Sequence, residues 1–486
     1  MVLSYWHKER KVVTLKQKVA VLGLGLENLA LTDYLVNKGE HVTVCDRRTA
    51  EQLGERFQKL AALGVEFRLG PDYLEGLEDF RVLYRSPGLP LFQPELIQAR
   101  ERGVEITSAM RLFVTLCPCP IIGVTGTKGK GTTSTLIHRM LVPAQHRRGA
   151  RAYLGGNIGV APFSFLPKLT PADLVVLELS SFQLEDMEES VDIAVVTNIT
   201  EDHLTAADPN NPNYHRSRED YVQAKTNLFR HQDGAGITIL NNDDGTCRFL
   251  TRLVPGELLL YGSTPQTKGA WYEAAAGGEY KIYWNLAGTK EELIASSQIK
   301  LRGKHNLLNI AAAALAAGKA GADQETIVQA IAGYNGLEHR LEYVTTIDGV
   351  QYFDDSFATA PEPTMVALRA FSEPVILIAG GVDKGADYRP LAEEIIAGSV
   401  KAVVLIGKMA PVLREIITRL GLEKGRVPLL VEGGVEMERI TATARSLAKP
   451  GDVVLLSPAC ASFDLFKNYK ERGDLFKQAV LALSAP

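Results

Sequence analysis

The residues best suited to chemistry lie in a turn between a strand-like apolar run and a helix-like run, GVTGTKGKGTT at positions 123–133 (the phosphate turn). Backbone N–H groups of such a turn, with the N-terminus of the following helix, bind phosphate oxygens. Lys130 is placed to reach the terminal phosphates of a nucleotide, and a hydroxyl after it can ligate Mg²⁺. Val124 and Gly131 break the strict phosphate-loop pattern, so a tight turn with surface lysines is the alternative.

Two further strand-like runs end in residues that can bind a metal ion. Glu178 closes one run, in ELSSFQL, and His203 follows another, in TNITEDHL. Because parallel strands present their carboxyl ends at one edge of a doubly wound sheet, we expect both side chains beside the phosphate turn, at the ends of adjacent strands. A carboxylate suits Mg²⁺ well, and an imidazole binds it less often. Alone, His203 is better interpreted as structural, but with Glu178 and the turn it favours a second divalent-cation site.

Another glycine-rich turn, GLGLEN at 23–28, follows the run KVAVL, and Asp46 closes the next run, HVTVCD. This pattern is typical of a βαβ unit whose turn binds a dinucleotide. An NAD-dependent oxidoreductase with Asp46 on a ribose is therefore an alternative from another class of protein. It leaves the phosphate turn and the metal-binding residues unexplained.

The length of the chain and the pattern of its strand-like and helical runs predict several domains. A chain of 486 residues is too long for a single hydrophobic core. Strand-like runs of Val, Ile and Leu alternate with helical patterns along most of the chain, while 249–299 contains short alternating strands. We predict a three-domain α/β fold: a Rossmann-like domain at 1–110, a central P-loop-type ATPase domain at 111–338, and a Rossmann-like domain at 339–486. The central sheet should be mainly parallel with a small antiparallel addition.

Charge and cysteine content narrow the possible partners and the location. The 53 basic and 57 acidic residues give a net charge of −4, so we expect no nucleic-acid or anionic-lipid partner. Five cysteines without paired spacing, and a start without the apolar core of a signal peptide, indicate the cytoplasm. The longest apolar stretch, 310–317, is too short to span a membrane.

These motifs resemble those of the Mur ligase family over roughly residues 18–480. The phosphate turn is similar to the family's GTNGK-S/T-T signature, although the Lys-Gly-Thr ending also resembles the related folylpolyglutamate synthases. ELSSFQLE and TEDH match almost residue for residue, and Lys225 in YVQAK matches a lysine that carries a carbamate in the family. The resemblance implies a cytoplasmic, monomeric ligase that uses ATP and Mg²⁺, with two ions, to form an amide bond.

The resemblance also implies roles for residues near the nucleotide. The implied catalytic residues are Lys130, Glu178, His203 and Lys225, and the implied metal ligands are Thr132, Glu178, His203 and carbamylated Lys225. The implied ATP-binding residues are Gly126, Thr127, Lys128, Gly129, Lys130, Gly131, Thr132, Thr133, Asn306, Arg340 and Asp355.

The two ends of the chain resemble the D-glutamate-adding members of the family, through SPG at 86–88, GGNIG at 155–159, DDSFATA at 354–360, GGVDKG at 380–385 and SPACASFD at 457–464. The implied residues for UDP-N-acetylmuramoyl-L-alanine are Gly25, Leu26, Asp46, Ser86, Pro87, Gly88, Asn157 and His203. Those implied for D-glutamate are Thr359, Lys384, Ser462 and Tyr469. The chain departs from the family pattern at Asn28, Lys128, Phe357, Ala360 and Tyr469. A different amino acid stays an alternative, as does a folylpolyglutamate synthase-like activity, against which SPG, GGNIG and SPACAS argue.

Overall fold

The computed structural model describes residues 18–204, 213–383 and 385–483. Within these ranges, no helix has both the length and the apolar character that crossing a bilayer requires. The first elements are β1 (Lys18–Leu22), α1 (Leu26–Asn37), β2 (His41–Asp46), α2 (Ala50–Leu53), α3 (Glu55–Ala61), β3 (Glu66–Leu69), β4 (Val82–Arg85), α4 (Pro94–Glu101), β5 (Glu105–Ser108) and α5 (Ala109–Leu116).

The first sheet has the strand order β3-β2-β1-β4-β5, and every pair is parallel. These are the first five strands of the Rossmann order 3-2-1-4-5-6, as expected for the predicted Rossmann-like domain. Asn28, which stands where the fingerprint has glycine, closes the turn after β1 with its side-chain amide. Its Nδ2 donates to the carbonyl oxygens of Leu22 (3.1 Å) and Gly23 (2.8 Å).

The second sheet belongs to the central part of the chain. Its elements and the helices around it are β6 (Ile121–Thr125), α6 (Lys130–His146), β7 (Ala152–Gly156), β8 (Leu174–Glu178), α7 (Ser181–Leu184), β9 (Ile193–Val196), α8 (Arg218–Thr226), β10 (Ile237–Asn241), α9 (Gly245–Leu250), β11 (Glu257–Gly262), β12 (Gly269–Ala274), β13 (Tyr280–Asn285), β14 (Glu291–Ala295), α10 (Lys304–Lys319) and α11 (Gln324–Ala332).

The strand order β14-β13-β12-β11-β10-β9-β6-β8-β7 places β6 in the middle of the parallel part. Strands from β7 to β12 pair in parallel, and β13 and β14 add the predicted antiparallel extension. The expectation that Glu178 and His203 follow adjacent strands is wrong. β8 and β9 each pair with β6, which lies between them, so the two residues flank the phosphate turn from opposite sides.

The third sheet contains four strand-like apolar runs, PVILIAGG, KAVVLIGK, PLLVEGG and DVVLLSP, preceded by a hairpin. The elements are β15 (Glu342–Ile347), β16 (Val350–Asp354), α12 (Pro361–Leu368), β17 (Val375–Gly380), α13 (Arg389–Ala397), β18 (Val400–Ile406), α14 (Ala410–Glu423), β19 (Leu429–Gly434), α15 (Met437–Leu447), β20 (Val453–Leu456) and α16 (Tyr469–Ala482). The order is β15-β16-β20-β17-β18-β19, and only β15 is antiparallel to its neighbour among these described strands.

The three sheets give the predicted three-domain α/β fold. Internal contacts divide the chain into two compact units, one of Met1–Ala295 with Leu308–Ile331 and the other of Ser296–Leu307 with Ala332–Pro486. The first unit contains the first two sheets, and the second contains the third sheet. The domain boundaries after residues 110 and 338 stay predictions.

Candidate functional site

The backbone of the phosphate turn can be formed only by glycine at two positions. Gly126 has φ +144°, and a Cβ there would lie 1.9 Å from Oγ1 of Thr197. Gly129, the N-cap of α6, has φ +85°, and a Cβ there would lie 2.4 Å from Oδ1 of Asn309. The turn is therefore packed tightly between the end of β9 and helix α10, and its backbone can approach a ligand closely.

Asn198, which follows β9, holds the turn in place. Its carbonyl oxygen accepts from the N–H of Thr127 (2.7 Å), and its Oδ1 accepts from the N–H of Lys128 (3.0 Å). The Thr127 hydroxyl lies 2.8 Å from the hydroxyl of Tyr221 on α8. The loops after β6 and β9 are thus joined to each other and to the helix that carries Lys225.

Two lysine ammonium groups converge on the carbonyl side of the turn. Nζ of Lys130 donates to the carbonyl oxygens of Gly126 (3.0 Å) and Thr127 (2.9 Å), and Nζ of Lys225 donates to that of Gly126 (2.9 Å). Lys225 is only 2% exposed. Burial, assisted by the charge of Lys130 and opposed by Asp202, lowers the pKa of Lys225 to about 7. Neutral amine is therefore available at physiological pH.

Glu178 is buried at the end of β8, where Asn157 holds its carboxylate. Nδ2 of Asn157 donates to Oε1 of Glu178 (2.9 Å). The chain then turns sharply into α7 through a capping box, in which Ser180 and Gln183 exchange side-chain to backbone hydrogen bonds. The SSFQ motif therefore determines the direction in which the chain leaves β8.

His203 has a left-handed backbone, φ +55°, which is uncommon for a residue with a side chain. Its ring packs on Phe182, with centroids 5.1 Å apart, and its Nε2 lies 3.6 Å from Oδ2 of Asp202. Burial and the nearby ammonium groups lower the pKa of His203, whereas Asp202 acts in the opposite direction. The imidazole is thus favoured in the neutral form that can bind a metal ion.

A cavity of about 240 Å³ lies where these segments meet. It is lined by many of the residues that the sequence singles out, together with neighbours from the loops after β8 and β9. The lining residues are Pro87, Gly88, Gly126, Lys130, Asn157, Ser180, Ser181, Phe182, Asp202, His203, Tyr221 and Lys225. The structure therefore brings the SPG turn of the first domain to the phosphate turn of the central domain.

The turn after β1 lies outside this lining. Leu26 is exposed at the start of α1, whereas Asp46 is 3% exposed. Its Oδ2 accepts from the N–H of Leu24 (2.6 Å) and pairs with Arg48 (2.8 Å). Burial acts to raise the pKa of Asp46, but the hydrogen bonds from Arg48 and the backbone outweigh it and lower that pKa. A carboxylate is thus held at a position that the resemblance implies for binding the UDP-linked substrate.

Glu27, in the first turn of α1, connects this turn to the central domain. Its carboxylate accepts from the side-chain amide of Gln183. Burial raises the pKa of Glu27 to about 7, although the hydrogen bond from Gln183 opposes the rise. A group that ionises near neutrality thus lies beside Gly25 and Leu26, which the resemblance implies for binding the UDP-linked substrate.

The predicted nucleotide residues of the second compact unit have well-defined surroundings. Nδ2 of Asn306 donates to the carbonyl oxygen of Arg302 (2.7 Å). The Arg340 guanidinium lies over the ring of Phe357, 3.8 Å from its centroid. Asp355 accepts from the Ser457 hydroxyl (2.6 Å) and from the N–H of Leu341 (3.0 Å).

Of the predicted amino-acid-binding residues, Thr359 and Ser462 lie on loops of the third sheet, and Tyr469 begins α16. Ser462 is buried, and a bridge between Val382 and Ala461 pairs its segment with GGVDKG. The ring of Tyr469 meets that of Phe357 edge-on, with centroids 5.0 Å apart. Thr359 lies between β16 and α12. Lys384 lies outside the described residues.

The donor set at the phosphate turn fits ATP and Mg²⁺. Oγ1 of Thr133 is buried and has no hydrogen-bond partner among the described residues. Groups of three His, Cys, Asp or Glu side chains close enough to share an ion occur, within the described ranges, only around His339. Glu178 and His203 therefore offer an incomplete protein set. This suits Mg²⁺, which usually combines one or two carboxylates with water and substrate phosphates.

Three functional candidates escape sequence reasoning. Tyr221 lies one helical turn before Lys225 on α8, a spacing that could have indicated a shared face. Arg85, fully buried at the end of β4, donates to the carbonyl oxygens of Leu89 (2.7 Å) and Phe182 (3.1 Å). Its position as a charged residue at the end of an apolar run is the sequence pattern that could have identified it. Asn198 has no local signal for its contacts with the phosphate turn.

Comparison with known proteins follows the same three-part division. Models of the "Mur ligase MurD-like, N-terminal domain", "Mur ligase middle domain" and "Mur ligase, glutamate ligase domain" match residues 17–108, 124–317 and 339–460. A solved structure of UDP-N-acetylmuramate-alanine ligase MurC from Thermotoga maritima has a TM-score of 0.54 at 18% identity, covering 96% of this chain and 100% of that chain. A structure of MurF from Acinetobacter baumannii has a TM-score of 0.56 at 16% identity, covering 99% and 97%. Both share the fold.

Two curated relatives are far more similar in sequence. UDP-N-acetylmuramoylalanine--D-glutamate ligase of Symbiobacterium thermophilum is 40% identical, over 97% of this chain and 99% of the relative. The protein of that name from Clostridium novyi is 36% identical, over 96% of each. These full-length matches, with a phosphate turn, Glu178, His203 and Lys225 gathered in the middle domain, show that the chain belongs to the Mur ligase family.

Proposed function

We propose that this protein is an ATP-dependent ligase that joins D-glutamate to UDP-N-acetylmuramoyl-L-alanine, a step of peptidoglycan precursor synthesis, and releases ADP and phosphate. The observation that carries the proposal is the convergence of Lys130 and Lys225 on the phosphate turn, beside a cavity that also includes the SPG turn. The full-length similarity to D-glutamate ligases supports the substrate pair.

The chemistry requires activation of a carboxylate. The alanine carboxylate of the UDP-linked substrate attacks the γ-phosphate of ATP, ADP leaves, and an acyl phosphate forms. The amine of D-glutamate then attacks the acyl carbon and phosphate leaves. The protein contributes positioning and neutralisation of the charge on the phosphoryl oxygens. Lys130 supplies a cation at the phosphate turn, whose N–H groups hold the phosphates.

Residues around the turn would hold magnesium. Thr132, Glu178 and His203 are the proposed ligands of two Mg²⁺ ions, which when bound would neutralise phosphate charge. Asn157 orients Glu178 through its amide. Lys225 is proposed to react with CO₂ as a neutral amine and become an anionic carbamate, and its pKa of about 7 and its burial support this assignment.

The domain roles are part of the same proposal. Residues 1–110 would bind the UDP-linked substrate, 111–338 ATP, and 339–486 the amino acid. Thr359, Lys384, Ser462 and Tyr469 are the proposed contacts of D-glutamate. We also infer a monomer in a reducing compartment. None of the five cysteines, all within the described residues, forms a disulfide, which supports the second point.

Phosphate release by the purified protein tests the proposal. With ATP, Mg²⁺ and UDP-N-acetylmuramoyl-L-alanine present, release should depend on added D-glutamate and should be far weaker with L-glutamate or other amino acids. Mass spectrometry should detect the UDP-linked dipeptide. Release that is independent of every amino acid would contradict the ligase assignment, and a preference for another amino acid would change the substrate alone.

A further inference from the structure

Arg472, on α16, is a fully buried cation beneath the loops of the third sheet. Its Nε donates to Oγ of Ser356 (3.0 Å) and its Nη2 to the carbonyl oxygen of Ser356 (2.9 Å). Its Nη1 donates to the carbonyl oxygen of Cys460 (3.2 Å). The planar fork of a guanidinium can make these bonds simultaneously, which a lysine ammonium cannot reproduce.

The acceptors belong to the segments that carry the proposed D-glutamate contacts. Ser356 precedes Thr359 in DDSFATA, and Cys460 precedes Ser462 in SPACASFD. The hydroxyl of Ser356 donates in turn to the carbonyl oxygen of Tyr469 (2.7 Å). The guanidinium therefore joins two segments that are separated in sequence, and Ser356 links them to the start of α16, the helix that carries both Tyr469 and Arg472.

The position of Arg472 is itself constrained by close packing. A Cβ on the next residue, Gly473, would lie 2.2 Å from Nδ1 of His339 and 2.6 Å from Oδ2 of Asp354. Helix α16 thus approaches the end of β16 as closely as a glycine allows. The backbone of α16 next to Arg472 is therefore packed closely against the end of β16.

The charge of Arg472 is bonded to neutral oxygens. Within the described residues, no carboxylate oxygen lies at ion-pair distance from its guanidinium. Burial lowers the pKa of Arg472 to about 10, although the more distant Asp354, Asp464 and Asp355 act in the opposite direction, so the side chain is still charged at pH 7. Burying a charge without a direct counter-ion is costly, which indicates a role beyond simple packing.

We propose that Arg472 is a positioning residue that sets the mutual placement of Thr359, Ser462 and Tyr469 and thereby the affinity for the incoming amino acid. The inference rests on the proposed function for the identity of that amino acid. Arg472 acts through the segments that it holds, without touching the substrate itself.

The experiment compares Arg472→Lys with the matched control Arg426→Lys. Arg426 also donates to three backbone carbonyl oxygens, those of Ile396, Gly398 and Val400, but these lie between the end of α13 and the start of β18. We expect R472K to raise KM for D-glutamate about tenfold or more and to leave KM for ATP within about twofold, since a small misplacement of contacts is costly. R426K should change thermal stability and neither KM.

Ser356→Ala provides a second test if R472K does not fold, because it removes one acceptor of Arg472 and the link to Tyr469. It should also raise KM for D-glutamate selectively. An unchanged KM for D-glutamate in a folded variant, or equal rises for D-glutamate and ATP, would overturn the inference.

Hydrogen exchange without substrates separates this inference from the proposed function. Amides of residues 355–360 and 457–463 should exchange faster in R472K than in the parent or in R426K. Equal exchange would refute the positioning role of Arg472. If the parent protein has no D-glutamate-dependent turnover, the proposed function fails, while the exchange result still decides whether Arg472 orders the loops.

Discussion

Lys130 and Lys128 lie two residues apart in the phosphate turn but have different surroundings. Lys130 is partly buried against the carbonyl oxygens of Gly126 and Thr127, whereas Lys128 is exposed. Lys130→Ala should therefore reduce kcat by about a hundredfold or more, because a cation at the transferred phosphoryl group is lost. Lys128→Ala, the matched control, should retain most of the activity, because the substitution leaves the backbone N–H groups of the turn in place. Equal losses in the two variants, measured as phosphate release, would contradict the assignment of Lys130.

The pKa of Glu27, raised to about 7, predicts a pH effect on binding of the UDP-linked substrate. Above pH 7 the carboxylate ionises beside the turn after β1 and should repel a diphosphate, so KM should rise as pH increases from 6 to 8. Glu27→Gln should give a lower KM, by about threefold at pH 8 on the scale of charge effects at a helix N-terminus, and no such pH dependence. Glu51→Gln, in the first turn of α2, should behave like the parent. A pH profile shared by E27Q and the parent would exclude this role.

The residue types at the site were predictable, whereas their surroundings were not. The phosphate turn, Glu178, His203 and Lys225 are identifiable because their motifs are local in sequence. The burial of Lys225 and the partners of Arg85 and Arg472 depend on segments far away along the chain, and no periodicity encodes them.

At the scale of elements, the tight passage from β6 to α6 predicts a severe effect of Gly126→Ala. The new Cβ would lie 1.9 Å from Oγ1 of Thr197, and the backbone has a φ that favours glycine. We expect loss of measurable ATP binding by calorimetry. Gly149→Ala is the matched control, since Gly149 also has a positive φ, +71°, but open space around its Cβ position. It should cost about 1 kcal/mol of stability, because a residue with a Cβ is disfavoured in the left-handed region, and it should leave ATP affinity unchanged. ATP binding by G126A would contradict the packing argument.

Strands were easier to predict than their order. Continuous Val, Ile and Leu runs identify β1, β6, β8 and β9, because strands buried on both faces need apolar residues throughout. The insertion of β6 between β8 and β9 depends on crossover connections that short motifs do not encode. Likewise the apolar stretch 310–317 marks only the most buried part of α10, which begins at Lys304 and ends at Lys319.

At the scale of the molecule, the division into two compact units predicts that the units unfold in separate transitions, which different spectroscopic probes detect to different extents. Trp271 and Trp284 lie in β12 and β13 of the first unit, and Trp6, the third tryptophan of the chain, lies outside the described residues. Tryptophan fluorescence should therefore follow the first unit, while far-UV circular dichroism follows both. We expect the two urea transitions not to coincide, and ATP at 100 times its Kd to shift the fluorescence transition by about 2.7 kcal/mol. Superimposable transitions would show one cooperative unit.

The three-domain organisation was predictable from length and recurring βαβ patterns, but the division into units was not. The sequence predicts one boundary near residue 338, whereas the chain passes from the first unit to the second at 296, returns at 308 and leaves again at 332. Such a return depends on where helix α10 packs, which composition does not indicate.

That return path has a consequence for synthesis on the ribosome. Asn309, which packs against Gly129 in the phosphate turn, belongs to a segment that emerges well after β14, the last strand of the central sheet. A nascent chain that ends before residue 308 therefore lacks one wall of the phosphate turn, even though every strand of that sheet has been made. Competence to hold a nucleotide should arise late in translation, only once the segment 308–331 has left the exit tunnel.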